Sequence, residues 1–230
     1  MKHRTAVLLS FALAVSGAAW AAGPQELPGE KERLGYSFGM DIGSALRRQS
    51  IELDVDALNR GLKDAYIGGK TLLTEEESRR EIEKYQQRLM EQQAEAMRQL
   101  SEKNKAEGEK FLAENGKKEG VTALPSGLQY KVITPGSGKS PKLSDSVTTH
   151  YKGTLIDGTE FDSSYKRGEP ATFPVSGVIA GWTEALQLMK EGAKWQIFLP
   201  PALAYGDRGA GRDIGPNATL IFEVELISVK

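Results

Sequence analysis

Residues 151–165 read YKGTLIDGTEFDSSY and predict two short β-strands joined by a tight turn. Asp157-Gly158 is a strong hairpin signal, because glycine readily adopts the positive φ that such turns require. The hairpin ends in four residues that place a carboxylate between an aromatic ring and two hydroxyls: Phe161, Asp162, Ser163 and Ser164. Three kinds of site fit this arrangement: a nucleophilic serine, a metal ligand, or one wall of an apolar pocket.

Apolar and polar residues alternate on both sides of the hairpin, in GLQYKVI (127–133), SVTTHYKGTL (146–155), AKWQIFLP (193–200) and ATLIFEVELISV (218–229). A period of two indicates strands with one buried face. The inward positions are Leu128, Tyr130, Val132, Val147, Thr149, Tyr151, Leu220, Phe222, Val224 and Leu226. One short helix, closed by Gly192, interrupts the strands. Residues 119–230 therefore predict an α+β domain, a compact antiparallel sheet with one helix.

Residues 22–73 predict an all-α segment of two helices. The first carries two stripes with a period of four, an apolar one at Leu34, Phe38, Ile42 and Leu46 and a glycine one at Gly35, Gly39 and Gly43. Each glycine costs a helix about 0.8–1 kcal/mol relative to alanine, so the stripe indicates close approach of another helix. The second helix begins after Asp54 and ends at Gly68. We interpret this segment as half of a dimer interface, with packing against the chain's own C-terminal domain as the alternative.

Residues 74–118 predict one long connecting helix. Thr74 and Glu77 form a capping-box pattern, and some forty residues without proline follow, which would span roughly 60 Å. Its apolar stripe is thin and ends near Leu100. We therefore expect a solvated spacer that ends at Asn115, and no sustained coiled coil.

The first 21 residues predict a cleavable signal peptide. A basic start, MKHR, precedes an apolar run and small residues that favour cleavage after Ala21. The expected location is the periplasm. The sequence has no cysteine, so no lipid is attached at a cysteine and no disulfide forms. A net charge of −1 does not favour a nucleic-acid partner, and no membrane span is expected.

A serine nucleophile is poorly supported. His150 is the one histidine after the signal peptide, and by alternation it faces away from Tyr151. Ser163 and Ser164 lack a G-x-S-x-G context, and we interpret both as turn hydroxyls that satisfy local backbone groups.

Anion and metal sites are no better supported. GDRGAGRDIG (206–215) lacks the order of a phosphate-binding loop and precedes a strand, so a flexible surface loop is predicted. Asp162, Asp207 and Asp213 match no calcium-loop spacing. The pocket interpretation remains, with an aromatic set near loops: Tyr151, Phe161, Trp182, Tyr205 and Phe222.

Three stretches carry a resemblance to a known family: HYKGTLIDGTEFDSSYKRGEPATFPV (150–175), GVIAGWTEALQLMKEGAKWQIFLPPALAYG (177–206) and GPNATLIFEVELISV (215–229). They closely resemble the FKBP family of peptidyl-prolyl cis/trans isomerases. Residues 30–118 are similar to the macrophage infectivity potentiator (Mip) branch, whose members are V-shaped dimers outside the cytoplasm.

The resemblance implies a set of site residues and their roles. Catalytic roles fall on Asp162, which would face the bound amide, and Tyr205, whose hydroxyl would bind a ligand carbonyl. Trp182 would form the floor, and the Ile179 amide would bind a second carbonyl. The remaining implied substrate-binding residues are Tyr151, Phe161, Arg167, Phe173, Val178, Ile214 and Phe222. Ala171, Ala210 and Asp213 depart from the best-known small members, which makes the rim less apolar.

The implied function is isomerisation of X-Pro bonds in unfolded or partly folded exported proteins, without a covalent intermediate, cofactor or metal. The implied partners also include macrolide inhibitors of the pocket and a second copy of the chain, bound through residues 30–73. One alternative stays open: a dimeric holdase chaperone or clamp that grips proline-containing clients, with catalysis secondary.

Overall fold

The computed structural model describes residues 26–230, so the predicted signal peptide and its cleavage site lie outside the described residues. The chain divides between Thr74 and Glu75 into an N-terminal and a C-terminal unit.

The N-terminal unit contains two helices, α1 (Glu30–Arg48) and α2 (Val55–Ile67). Asp54 caps α2, since its Oδ1 accepts a hydrogen bond from the Ala57 N–H at 2.8 Å. Gly68 ends the helix in the left-handed conformation, with φ of 71°. The helix ends predicted from the sequence at Asp54 and Gly68 are therefore confirmed. Neither helix contains a buried residue.

The apolar and glycine stripes of α1 are open in the described chain. Phe38 is 62% exposed and Leu34 is 57% exposed. A Cβ built on Gly35, Gly39 or Gly43 meets no heavy atom within 4 Å. The close helix contact that these stripes predict is thus absent from the described residues of the single chain.

Helix α3 (Glu75–Asn115) is 41 residues long and belongs to the C-terminal unit. Its first two-thirds is mainly solvated and carries exposed ion pairs, such as Lys84 with Glu81 at 2.7 Å. The expectation of a solvated spacer is wrong for the last third. Gly108 and Asn115 are buried, and the Phe111 ring packs 5.9 Å from the Phe198 ring. One aromatic residue makes this contact together with a glycine and an asparagine, so no apolar stripe marks it.

The C-terminal unit contains a seven-stranded antiparallel sheet with strand order β1-β2-β6-β7-β3-β4 and β5 paired to β3. Its strands are β1 (Val121–Ala123), β2 (Gln129–Thr134), β3 (Ser146–Leu155), β4 (Glu160–Ser163), β5 (Ala171–Pro174), β6 (Lys194–Leu199) and β7 (Leu220–Val229). Strand β7 lies in the middle, and it pairs with β3 from Val147↔Val229 to Leu155↔Leu220. The predicted α+β class is confirmed.

The core lies between the sheet and helix α5 (Ala180–Leu188), while a single turn, α4 (Ser164–Arg167), follows the hairpin. All but two of the residues predicted to face inward are buried; Tyr130 is half-buried and Val132 is 41% exposed, because β2 is covered only at its start. Helix α5 ends at Leu188, four residues before the predicted end. Gly192 instead adopts a φ of 86° in the turn before β6.

No helix within residues 26–230 is long and apolar enough to cross a bilayer.

Candidate functional site

A pocket of about 730 Å³ opens at one side of the sheet, lined by β3, β4, β7, the segment before α5 and the loop before β7. It brings together ten of the eleven residues that the sequence assigns to the site. Its lining is Tyr151, Phe161, Asp162, Phe173, Gly177, Val178, Ile179, Trp182, Tyr205, Ala210, Gly211, Asp213, Ile214 and Phe222. Arg167 is not a lining residue, but it contacts two lining residues, Asp162 and Tyr151.

Trp182 lies at the centre of the aromatic contacts and is 4% exposed. The rings of Tyr151 and Phe222 stand perpendicular to it, with centroid distances of 5.2 and 5.3 Å. Phe173 makes a third edge contact at 6.1 Å. Perpendicular aromatic pairs are favourable, because the positive edge of one ring meets the negative face of the other. The result is a rigid apolar floor.

Gly153 makes room for two rings of the pocket. In the strand register it lies between Asp162 on β4 and Phe222 on β7. A Cβ at this position would come within 2.6 Å of the Phe161 ring and 2.8 Å of the Phe222 ring. Gly153 was not among the predicted site residues, although a glycine inside an alternating strand is a signal for close approach.

A hydrogen-bonded cluster holds the Asp162 carboxylate at the rim. The Tyr151 hydroxyl donates to Asp162 Oδ2 at 2.5 Å and accepts from Arg167 Nη2 at 2.7 Å. Arg167 also forms an ion pair with Asp162 through Nη1, and its guanidinium lies 5.4 Å from the Tyr151 ring centroid. The hydroxyl in this cluster comes from Tyr151 on the neighbouring strand and not from the serines that follow Asp162.

This cluster keeps Asp162 ionised. Partial burial pushes the pKa of Asp162 upward, but the hydrogen bonds from Tyr151 and Arg167 outweigh it and leave the pKa below its usual value. Burial, followed by the hydrogen bond to Asp162, raises the pKa of Tyr151. Asp162 is therefore a fixed acceptor with a permanent charge, which suits orientation better than proton transfer.

The two serines do what the sequence predicts for turn hydroxyls. Ser163 Oγ accepts from the Lys166 N–H and caps α4. Ser164 is fully buried, and its hydroxyl bonds the backbone N–H and C=O of Tyr151 as well as His150 Nδ1 at 2.9 Å. A buried hydroxyl with these partners is not presented to a substrate, which argues against a nucleophile.

The loop of residues 206–217, predicted as a flexible surface loop, forms one wall of the pocket. Ala210 and Ile214 exchange backbone hydrogen bonds of 2.8 and 3.2 Å. The Asn217 N–H bonds the Gly206 carbonyl at 2.8 Å and closes the loop at its base. Gly209 has a φ of 66° and passes too close to Ile214 O for any side chain. Glycine content alone does not distinguish such a closed loop from a mobile one.

The three positions that depart from the best-known small members of the family do not all lie in the pocket. Ala210 and Asp213 line the pocket, whereas Ala171 packs against the core and is not part of the lining. The sequence analysis missed Gly177 and Gly211 as lining residues. Asp162, Asp207 and Asp213 do not form a metal cluster, since the described residues hold no group of three or more histidine, cysteine or acidic side chains that could bind an ion.

The Ile179 backbone N–H, at the pocket, has no acceptor within residues 26–230. The Trp182 indole Nε1–H has none there either, but this atom is buried beneath the pocket surface. Tyr205 is 40% exposed, and within the same residues its hydroxyl has no protein partner. An apolar floor with unpaired donors around it can hold a ring and bind adjacent carbonyl oxygens.

Two family models match the chain. One, described as FKBP-type peptidyl-prolyl cis-trans isomerase, matches residues 137–227. The other, described as a domain amino terminal to FKBP-type peptidyl-prolyl isomerase, matches residues 31–132.

Similar proteins and structures agree with these matches. The chain is 47% identical to "Outer membrane protein MIP" of Legionella longbeachae, over 100% of this chain and 98% of that protein. It is also 47% identical to "Peptidyl-prolyl cis-trans isomerase Mip" of Coxiella burnetii, over 100% and 99%. The crystal structure of FkpA from Escherichia coli matches with a TM-score of 0.74 and 37% identity, over 89% of this chain and 99% of that one. The chain belongs to the FKBP-type peptidyl-prolyl cis/trans isomerase family, in its Mip-like branch, and is an isomerase of that type.

Proposed function

We propose that the pocket over Trp182 is the catalytic site and that it rotates X-Pro bonds without a covalent intermediate. The observation that carries this proposal is the juxtaposition of a buried aromatic floor with one fixed carboxylate, Asp162, and unpaired donors at Ile179 and Tyr205. The proline ring would rest on Trp182. The Ile179 N–H and the Tyr205 hydroxyl would bind the flanking carbonyl oxygens.

The physical basis is the resonance of the amide bond. Rotation has a barrier of about 18–20 kcal/mol, because the planar amide must lose its double-bond character. The twisted amide has less charge separation than the planar one, so transfer from water into an apolar pocket disfavours the planar ground state more. A rate gain of roughly 10³–10⁵ requires about 4–7 kcal/mol of such differential stabilisation. Together, exclusion of water, orientation of the substrate and one or two hydrogen bonds contribute a free energy of this order.

Asp162 acts in this scheme as an oriented charge. Tyr151 and Arg167 hold both carboxylate oxygens, and the lowered pKa keeps the group ionised. A base would need to release its partners to accept a proton. An oriented charge that faces the bound amide needs only to stay in place, and the hydrogen bonds from Tyr151 and Arg167 hold it there.

The proposal is tested by following cis-to-trans conversion of a short X-Pro tetrapeptide with the chain from residue 22 onward. We expect strong acceleration that is lost when Trp182 is replaced by leucine. An Asp162→Asn variant should retain part of the activity, since the amide keeps the shape and one acceptor oxygen. A folded chain that does not accelerate the reaction would contradict the assignment of the site.

We further propose three domains after the signal peptide: residues 22–73 for dimerisation, 74–118 as connecting helix and 119–230 as isomerase domain. The open apolar and glycine stripes of α1 support a homodimer through residues 30–73. Cleavage after Ala21 would deliver the protein to the periplasm, where unfolded exported proteins with X-Pro bonds would be its substrates. Macrolides would compete for the same pocket.

The holdase or clamp function remains the second candidate, because the exposed apolar face of α1 can bind unfolded chains as well as a second copy. Two refolding assays separate the functions: one client limited by proline isomerisation, and one without that limit. An isomerase accelerates only the first. A holdase suppresses aggregation of both, even when Trp182 is replaced by leucine.

A further inference from the structure

The last third of α3 is bonded to the loop that closes the pocket. Asn104 Nδ2 donates to the Pro216 carbonyl at 2.8 Å. Asn217 Nδ2 donates to Ser101 Oγ, also at 2.8 Å. Both bonds join residues more than a hundred positions apart, and both are partly buried.

Glycine allows α3 to approach the loop, and the residue just before β7, closely. A Cβ on Gly215 would stand 3.0 Å from Asn104 Nδ2 and 3.1 Å from Leu100 Cδ2. A Cβ on Gly108 would stand 2.3 Å from Thr219 Oγ1, just after the loop. The helix is thus in close contact from Leu100 to Gly108, and a larger residue at Gly108 or Gly215 would displace its neighbours.

The same loop presents its other side to the substrate. Ala210, Gly211, Asp213 and Ile214 line the pocket, and Ile214 directly precedes Gly215. The bonds between Ala210 and Ile214, and between Asn217 and Gly206, make the loop a closed unit. A displacement at Pro216 would therefore affect Ile214 in the pocket wall, two residues away.

We propose that Asn104 and Ser101 on α3 are positioning residues for the reaction, which act through the 206–217 loop. A loop with four glycines has many accessible conformations, and ordering it costs free energy that two side-chain bonds and a close contact offset. Catalysis by orientation depends on walls that stay in place. Helix α3 is thus part of the catalytic machinery's support, in addition to connecting the units. This inference rests on the proposed pocket.

The main test is Asn104→Ala in the chain from residue 22 onward, with Lys105→Ala as the matched control. Lys105 is exposed and adjacent on the same helix. Alanine is the better helix former at both positions, so loss of helix cannot explain a defect. We expect Asn104→Ala to lower kcat/KM on a tetrapeptide about threefold to tenfold, the range that one hydrogen bond accounts for, and Lys105→Ala to leave it unchanged. Asn104→Gln, which retains the donor, should restore part of the rate.

A second readout separates positioning from general stability. Hydrogen exchange at the Ala210 and Ile214 amides reports the closed loop directly. It should accelerate about threefold to tenfold in Asn104→Ala while exchange in the β3–β7 core stays unchanged. Asn217→Gly should behave in the same way, since Asn217 has a φ of 54° that glycine adopts without strain.

The variant Ile214→Ala tests the proposed pocket separately from the positioning role of α3. If it leaves the rate unchanged, the loop is not part of the catalytic pocket and the inference falls with the proposed site. If Ile214→Ala lowers the rate but Asn104→Ala matches Lys105→Ala in rate and amide exchange, the pocket stands and the positioning role is wrong.

Discussion

Several glycine residues of the C-terminal unit have close neighbours, whereas the glycines of helix α1 face open space. A Cβ on Gly181 would lie 2.4 Å from Leu199, and one on Gly153 would lie 2.6 Å from Phe161. The three glycines of α1 have no heavy atom within 4 Å. At these positions of the C-terminal unit the close contact that glycine permits is present. In α1 the cost of glycine is present without such a contact in the described residues, which supports the proposed dimer.

The largest expected effect is on the affinity of the proposed dimer, which would form through this face of α1. Gly39→Leu should weaken the dimer about 10²-fold or more, because overpacking costs about 1–3 kcal/mol and a two-fold interface contains the change twice. Sedimentation of the two proteins at micromolar concentration measures it. Ser44→Leu, on the opposite side of α1, is the control and should leave the dimer intact.

The same variant tests what the dimer does. Tetrapeptide isomerisation should barely change in Gly39→Leu, whereas refolding of a protein client that can touch two sites should slow, because effective concentration is lost. A monomeric parent protein, or equal losses in the two assays, would refute the dimer interpretation.

The next largest effect is on the stability of the C-terminal unit when the end of α3 is removed. Every residue assigned to the pocket follows residue 120, so the sequence predicts that fragment 120–230 folds and is active. That fragment lacks Phe111 against Phe198 and the Asn115 bond to Gln129. We expect it to be less stable than fragment 98–230 by about 2–4 kcal/mol in urea unfolding, from lost apolar burial and unpaired buried groups. Equal midpoints would show that α3 adds nothing to the core.

Within the C-terminal unit, the rim should tolerate change better than a covalent mechanism would. Asp162→Leu and Tyr205→Phe should each lower kcat/KM about tenfold, which corresponds to about 1.4 kcal/mol. Asp207→Leu, exposed and outside the pocket lining, serves as the control. A drop of about 10⁴ or more at either site would instead indicate acid–base or covalent chemistry.

The smallest expected effect is that of pH on the contribution of Asp162 to activity, which should not change near neutral pH. Although burial raises the pKa of Asp162, the hydrogen bonds from Tyr151 and Arg167 leave it below its usual value in the folded protein, so its contribution is present above the unfolded value and is lost only as pH falls through the folded one. The ratio of parent to Asp162→Asn activity should therefore be flat from about pH 5 to about pH 8. A ratio that changes across this window would mean that Asp162 titrates during catalysis.

The sequence predicted those features that repeat with a regular period or depend on one local residue. The β7 face from Leu220 to Leu226 follows the period of two, and Asp54 and Gly68 mark helix ends through their own chemistry. The contact between Asn104 and Pro216 was not predictable in this way, because one polar side chain on a long polar helix produces no periodic signal. Likewise, Tyr151 as the partner of Asp162 depends on the strand register, which shifts at a bulge in β4 opposite Gly153 and Thr154.

The central position of β7 has a consequence for how the protein is made. Strand β7, which joins β6 to β3, follows all the other strands of the sheet in the sequence, so it is the last of them to leave the ribosome. The sheet cannot close before Val229 has been made, since its longest ladder pairs Val147 with Val229. In a nascent chain the sheet thus stays open until this strand emerges. A stop codon shortly before residue 220 would remove the middle of the sheet, so loss of this strand should abolish folding.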